Sequence, residues 1–205
     1  MNILLNNTQR KKYESTIKQL ADLCPETISR KIPEANVQQA FTFSQTLEHS
    51  QDGAKILCVG SHEDTACEAL IKMGLNVTPI DPETNYSLGQ FFNRTKEKFD
   101  VIFSTSVIEH VPDDETFIAQ ICQLLSPNGV AILTCDFRDD YKPGDPKPGE
   151  DVRLYTTNDL LVRLKKVIEV NGCKIMGEID YKGNPDFTYG LYTYSFATYV
   201  FKKNN

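Results

Sequence analysis

The sequence contains no C-x-x-C pair, no Cys/His cluster at zinc spacing, no long apolar run and no excess of basic residues. Each absence excludes something. Six cysteines, Cys24, Cys58, Cys67, Cys122, Cys135 and Cys173, stand apart from one another. That spacing argues against a zinc site or a redox motif and predicts no metal. Cys58, Cys122 and Cys135 lie in apolar runs, which fits reduced, buried thiols and predicts a cytoplasmic protein. No stretch approaches the roughly 20 apolar residues of a membrane span. The first residues lack a charged region followed by an apolar run, so no signal peptide and no membrane association are expected. The net charge of −6 argues against a nucleic-acid partner, which needs a basic face.

What is present fits an ordinary globular chain. At 205 residues with 40% hydrophobic and 24% charged residues, it is long enough to bury a real core as one domain, or one domain with an appendage. Residues 1–53 are mostly polar and predict a helical extension. Tyr13, Ile17, Leu20 and Leu23 recur at helical spacing up to Pro25. A second helix is expected from about Glu34 to Glu48, with Val37, Ala40, Phe41, Phe43 and Leu47 inward. These helices are open to three roles: capping a site, binding substrate or forming a homodimer.

From residue 54 to 205 the pattern changes. Lys55–Val59 is a short apolar run stopped by Gly60. A helix from Asp64 to Met73 ends at Gly74. Val77–Ile80 and Phe99–Ser104 read as further buried strands, and Asp113 or Asp114 caps a helix through Leu125. The segment Leu125-Ser126-Pro127-Asn128-Gly129 reads as a turn before a strand from Val130 to Cys135. Residues 138–152 hold three prolines and two glycines and read as an ordered loop. Thr157 or Asn158 caps one more helix, and two strands follow, Cys173–Tyr181 and Tyr194–Lys202. Alternating strands and helices imply an α/β fold, a mostly parallel sheet with helices on both faces. Two final strands with no helix between them are naturally antiparallel.

Ligands of such sheets bind at the carboxyl ends of the strands, at the switch point in strand order. The first candidate is the loop Gly60-Ser61-His62, where glycine lets the backbone approach a ligand. The second is Asp81, about 20 residues beyond the glycine loop, a position suited to ribose hydroxyls; as the residue before Pro82 it suits a turn equally well. The third is Ser104-Thr105-Ser106. Glu109 and His110 follow. Being adjacent, they face different ways; His110 is the candidate catalytic base, and packing or capping is the other role open to the pair. Asp136, a second catalytic candidate, follows the strand Val130–Cys135. With Glu109, Arg138, Tyr141, Arg153 and Tyr155 it makes a polar rim suited to a hydroxyl-rich or charged small molecule.

Two segments carry a family resemblance. Phe99-Asp100-Val101-Ile102-Phe103 runs through Ser104-Thr105-Ser106 into Glu109-His110-Val111, and roughly 20 residues later Leu124-Leu125-Ser126-Pro127-Asn128-Gly129 leads into a strand. This resembles class I S-adenosylmethionine-dependent methyltransferases of the type 11 kind. The resemblance implies a Rossmann-like sheet whose last strand is antiparallel, and S-adenosylmethionine as cofactor. It implies cofactor contacts from Gly60, Ser61, His62, Asp81, Ser104, Thr105 and Ser106. Two departures stand out. Cys58 occupies the place of the acid in the family's acid-x-Gly-x-Gly loop, and His62 that of its second glycine. Only 18 residues lie between Asp81 and Asp100, so the third-strand region is expected to be shortened. The function implied is methyl transfer to an oxygen or nitrogen of a small polar acceptor, with a sugar or sugar derivative as one candidate. The alternative is a relative that has lost catalysis and serves as a binding or scaffold protein. A nucleotide-dependent oxidoreductase would carry G-x-G-x-x-G in the first turn, which this chain lacks.

Overall fold

A computed structural model describes residues 1–205. The central sheet is built from β2 (Ile56–Val59), β3 (Val77–Ile80), β4 (Phe99–Thr105), β5 (Leu125–Phe137), β6 (Cys173–Ile175) and β9 (Tyr192–Lys203), in the spatial order β3-β2-β4-β5-β9-β6. β3, β2, β4 and β5 run parallel. β9 inserts antiparallel between β5 and β6. No strand lies between β3 and β4 in the chain; a single short helix, α6 (Leu88–Phe92), fills that stretch. The expected contraction is therefore complete loss of one strand.

Both faces of the sheet are buried, because its strands are nearly continuous apolar runs whose alternate side chains point to opposite sides. Leu57, Val59, Ile102, Leu133 and Tyr199 join one core; Ile56, Cys58, Val101, Phe103, Ile132 and Val200 join the other. The first core is covered by α6, α7 (Asp114–Leu124) and α8 (Lys165–Val170). The second is covered by α5 (Thr65–Lys72) and the N-terminal helices α2 (Glu14–Leu23), α3 (Pro25–Ser29) and α4 (Asn36–His49), while α1 (Asn7–Lys12) buries no residue. The helices of residues 1–53 thus form most of one layer of the fold. Asn36 through Phe43 are all buried.

Several local expectations are corrected. Pro25 closes α2 but also opens α3, because proline suits a first helical position. Leu125–Gly129 is the irregular start of β5, bulged where it pairs with β4. Gly129 is needed there, since an added Cβ would lie 2.9 Å from the carbonyl oxygens of Phe99 and Ser126. The helix near residue 157 is capped by Thr156, whose Oγ1 accepts from the Asp159 N–H at 3.1 Å while Asp159 accepts from the Thr156 N–H at 3.1 Å. It opens with a π-helical turn over Asp159–Leu164 before α8. The run Cys173–Tyr181 breaks after Ile175; β7 (Ile179–Asp180) leaves the sheet and pairs in parallel with β1 (Asn2–Ile3). β8 (Phe187–Tyr189) forms a hairpin with β9. All six cysteines are buried and unpaired. No helix is long and apolar enough to cross a membrane.

Candidate functional site

β2, β3 and β4 end side by side at the switch point, and a cavity of about 780 Å³ opens there. Pockets of this size accommodate cofactors and drug-sized ligands. Its floor is Gly60, Asp81, Thr105 and Ser106; α6 and α7 close one side and α4 the other. No group of three or more His, Cys, Asp or Glu side chains is arranged to hold a metal ion.

The β2 loop is shaped by close contact. Gly60 has φ +83°, and an added Cβ would lie 2.3 Å from Cγ2 of Val107. Only glycine fits that conformation and that space. The N–H groups of Gly60 and Ser61 donate to the Ile80 carbonyl at 2.9 and 3.1 Å, folding the loop over the end of β3. Ser61 acts through its backbone and does not line the cavity; His62 does.

Asp81 is 7% exposed and faces the cavity. One carboxylate oxygen accepts from the His62 N–H at 3.0 Å and the other from the Glu83 N–H at 2.8 Å. The turn role read from the sequence is the one these bonds display. The carboxylate braces the turn, and it keeps acceptor capacity toward the cavity, since it has about four lone-pair sites.

At the exit of β4, Ser106 has φ +52°, a left-handed conformation that is costly for serine. Its Oγ donates to Gln38 Oε1 at 2.9 Å, and its N–H donates to Thr134 Oγ1 at 3.1 Å. Thr105 donates to Thr42 Oγ1 at 3.2 Å. Two bonds thus tie the turn after β4 to α4. Thr105 and Ser106 line the cavity; Ser104 lies beneath it, buried, with no partner for its hydroxyl.

Glu109 and His110 face different ways. His110 lines the cavity mouth. The Asp151 carboxylate beside it, opposed in part by burial, raises its pKa to about 9. That shift favours the imidazolium over the free base at this position. Glu109 is 1% exposed, outside the cavity, with no hydrogen-bond partner for either carboxylate oxygen. Burial pushes its pKa up to about 7. Asp136 is buried too and lies away from the cavity; burial and then the Glu109 charge push it well above the usual carboxylate range. The two acids are neighbours in the core, and burial disfavours charge on both.

The rest of the rim is dispersed. Tyr155 is fully buried and donates to Asp114 at 2.8 Å, because a bridge between Phe137 and Tyr155 turns its segment inward. Arg153 pairs with the same Asp114 at 2.7 Å. Arg138 pairs with its neighbour Asp140 at 2.7 Å. Tyr141 packs half-buried against the second core. None of the four lines the cavity, so the structure does not assemble them as a substrate rim.

The residues missed in the sequence lie on α4 and just before it. Lys31, Asn36, Gln38 and Gln39 all line the cavity. The available signal was the lack of any charged residue from Asn36 to Leu47, which marks a helix enclosed on all sides.

Comparison with known proteins agrees with this architecture. A family profile described as "Methyltransferase domain" matches residues 12–164. Human "Ubiquinone biosynthesis O-methyltransferase, mitochondrial" is 32% identical over 105 residues, covering 40% of this chain and 28% of that protein. The "Ubiquinone biosynthesis O-methyltransferase" of Bartonella bacilliformis is 24% identical over 164 residues, covering 65% of each. The match thus spans less than two thirds of these relatives. Among solved structures, a putative sarcosine dimethylglycine methyltransferase from Galdieria sulphuraria superposes with a TM-score of 0.55 at 13% identity, covering 83% of this chain and 86% of that one. Burkholderia thailandensis 1,6-didemethyltoxoflavin-N1-methyltransferase, solved with S-adenosylhomocysteine, gives a TM-score of 0.56 at 14% identity, covering 96% and 87%. These likenesses show a shared fold.

Proposed function

Because the chain belongs to the methyltransferase-domain family, matched over residues 12–164, we propose that it binds S-adenosylmethionine in the cavity at the ends of β2, β3 and β4 and transfers its methyl group to an oxygen or nitrogen of a small polar acceptor. The observation that carries this reading is Asp81, a nearly buried carboxylate facing the same cavity as the side-chain-free Gly60. A carboxylate at the end of the second strand of such a sheet accepts hydrogen bonds from paired ribose hydroxyls.

The residues present fit the cofactor. Gly60 leaves backbone exposed where a Cβ would intrude on Val107. Ser106 and Thr105 put small hydroxyls at the exit of β4, and Leu88 and Phe117 give the cavity apolar wall. When bound, S-adenosylmethionine supplies an electrophilic methyl group on a sulfonium. The chain contributes position: Asp81 orients the ribose side and Ser106 the turn after β4. Such transfer depends chiefly on proximity and alignment, so an imidazolium at His110 is compatible with it. The names of the curated relatives support an oxygen acceptor. The sugar reading rested on the polar rim, and with the rim dispersed nothing favours a sugar over other acceptors.

Calorimetric titration with S-adenosylmethionine and S-adenosylhomocysteine tests the reading. Micromolar binding that weakens about tenfold or more in Asp81→Ala supports it. No binding of either ligand at millimolar concentration overturns it and favours a binding protein that has lost the cofactor.

A further inference from the structure

The end of β2 carries no charge. Cys58 stands there fully buried, outside the cavity, with its thiol beside Cys67. Burial raises the thiol pKa well above its ordinary value, so it stays neutral. Yet the same end of the cavity holds a carboxylate from elsewhere. Asp64 precedes α5, is 5% exposed and lines the cavity. It accepts from the Cys67 N–H at 2.7 Å and from Gln39 Nε2 at 3.1 Å. These donors are neutral, as is the nearby Thr105 hydroxyl; Asp64 makes no ion pair within 4.0 Å, and the charge of Lys31 acts on it only from beyond that distance. A buried carboxylate without a cation is costly.

A second observation points the same way. Asn36 is 7% exposed, lines this cavity, and its Oδ1 has no donor. An orphaned buried acceptor calls for an N–H group. An anionic acceptor and an orphaned one thus flank the same space. Lys31 lines the cavity as well, with no ion-pair partner of its own.

We propose that Asp64 and Asn36 hold the ammonium of the cofactor's amino-acid end, replacing the acid missing at Cys58, with Lys31 facing the carboxylate; this rests on the cofactor reading above. Gln39 is the positioning residue. Its Nε2 donates to Asp64 while its Oε1 accepts from the Ala66 N–H at 2.8 Å, which locks the carboxylate between α4 and α5. Burial pushes the Asp64 carboxyl up, and a bound ammonium restores its charged form. The N-terminal helices are then part of the cofactor site.

The test compares S-adenosylhomocysteine with 5′-methylthioadenosine, which keeps the adenosine and thioether but lacks ammonium and carboxylate. Titration of the full chain should show S-adenosylhomocysteine preferred by about tenfold or more. Asp64→Asn retains a good helix cap and removes the charge. It should bring S-adenosylhomocysteine down to the level of 5′-methylthioadenosine while leaving the latter unchanged. Asn36→Leu, which disturbs no cap, should lower the same preference. Equal binding of both ligands by the wild-type protein overturns the proposal and leaves the cofactor reading standing. So does a preference that survives both substitutions, or an equal loss for both ligands. Absence of binding by either ligand overturns the cofactor reading and this proposal together.

Discussion

Nδ1 of His110 lies 3.2 Å from Oδ1 of Asp151. The same nitrogen lies 3.2 Å from the Glu150 carbonyl oxygen, so one ring ties the end of the 138–152 loop to the turn after β4. The Asp151 bond is the main cause of the rise of the His110 pKa from 6.5 to about 9. Protonation therefore favours the folded state. This contribution is complete below pH 6.5 and is lost as pH rises through about 9. In Asp151→Asn the imidazole should titrate near its ordinary value, as read by NMR. A pKa that stays near 9 would assign the rise to Glu109 instead.

Glu109 predicts the opposite of an ordinary surface acid. The unfolded chain releases this proton near pH 4.5, whereas the folded chain keeps it to about 7. The native state binds more protons across that window, so stability falls as pH rises through it. Glu109→Gln should remove this slope and raise stability at pH 8 by on the order of 1–3 kcal/mol. Urea unfolding at pH 5 and pH 8 measures both effects. An unchanged slope would assign the proton uptake to Asp136, which burial and the Glu109 charge also push up.

Asp114 is a structural hub. Arg153 and Arg163 reach it at 2.7 and 2.8 Å, and Tyr155 donates to it at 2.8 Å. Burial pushes its carboxyl up, but the bonds from Arg163 and Tyr155 outweigh burial and leave it below its usual value. Asp114→Ala removes the shared partner of two partly exposed arginines and the acceptor of the buried Tyr155 hydroxyl, and should cost about 1–3 kcal/mol in denaturant unfolding. Tyr155→Phe should cost about 1 kcal/mol. A loss below that for Asp114→Ala would mean that the arginines find water.

Ser106 stores strain at the cavity. Ser106→Ala loses the bond to Gln38 and keeps the left-handed backbone. Ser106→Gly loses the same bond and relieves the backbone. The glycine variant should therefore exceed the alanine variant in stability by about 1 kcal/mol, measured by thermal unfolding. Equal stabilities would show that the turn relaxes once the bond to α4 is gone.

Much of the fold is legible because its signals are local. Gly60, Gly74 and Asp81-Pro82 punctuate apolar runs, and those marks place β2, α5 and β3. The short interval before Asp100 reveals the missing strand. The wall of the cavity is another matter. Gln38 becomes a site residue only through Ser106, and Gln39 through Asp64 and Ala66, contacts that no spacing within α4 discloses. Arg153 and Tyr155 follow β5 as expected of rim residues. The bridge to Phe137 turns Tyr155 into the core, and the buried charge of Asp114 draws both side chains from the rim. The adjacency of Glu109 and His110 correctly implied opposite orientations; the carboxylate that stabilises the protonated histidine comes from a loop 41 residues on.

β9 sits between β5 and β6 in the sheet, yet it follows both in the chain. Its far side also receives residues 3–5: the Ile3 N–H donates to Thr198 Oγ1 at 2.8 Å and the Leu5 N–H to the Phe196 carbonyl at 2.8 Å. During synthesis, β6 and residues 4–5 have no sheet neighbour until this strand has left the ribosome. Closure of the sheet is therefore a late, high-contact-order event. Until then the nascent chain presents apolar helix faces and an open strand edge, the surfaces that chaperones recognise.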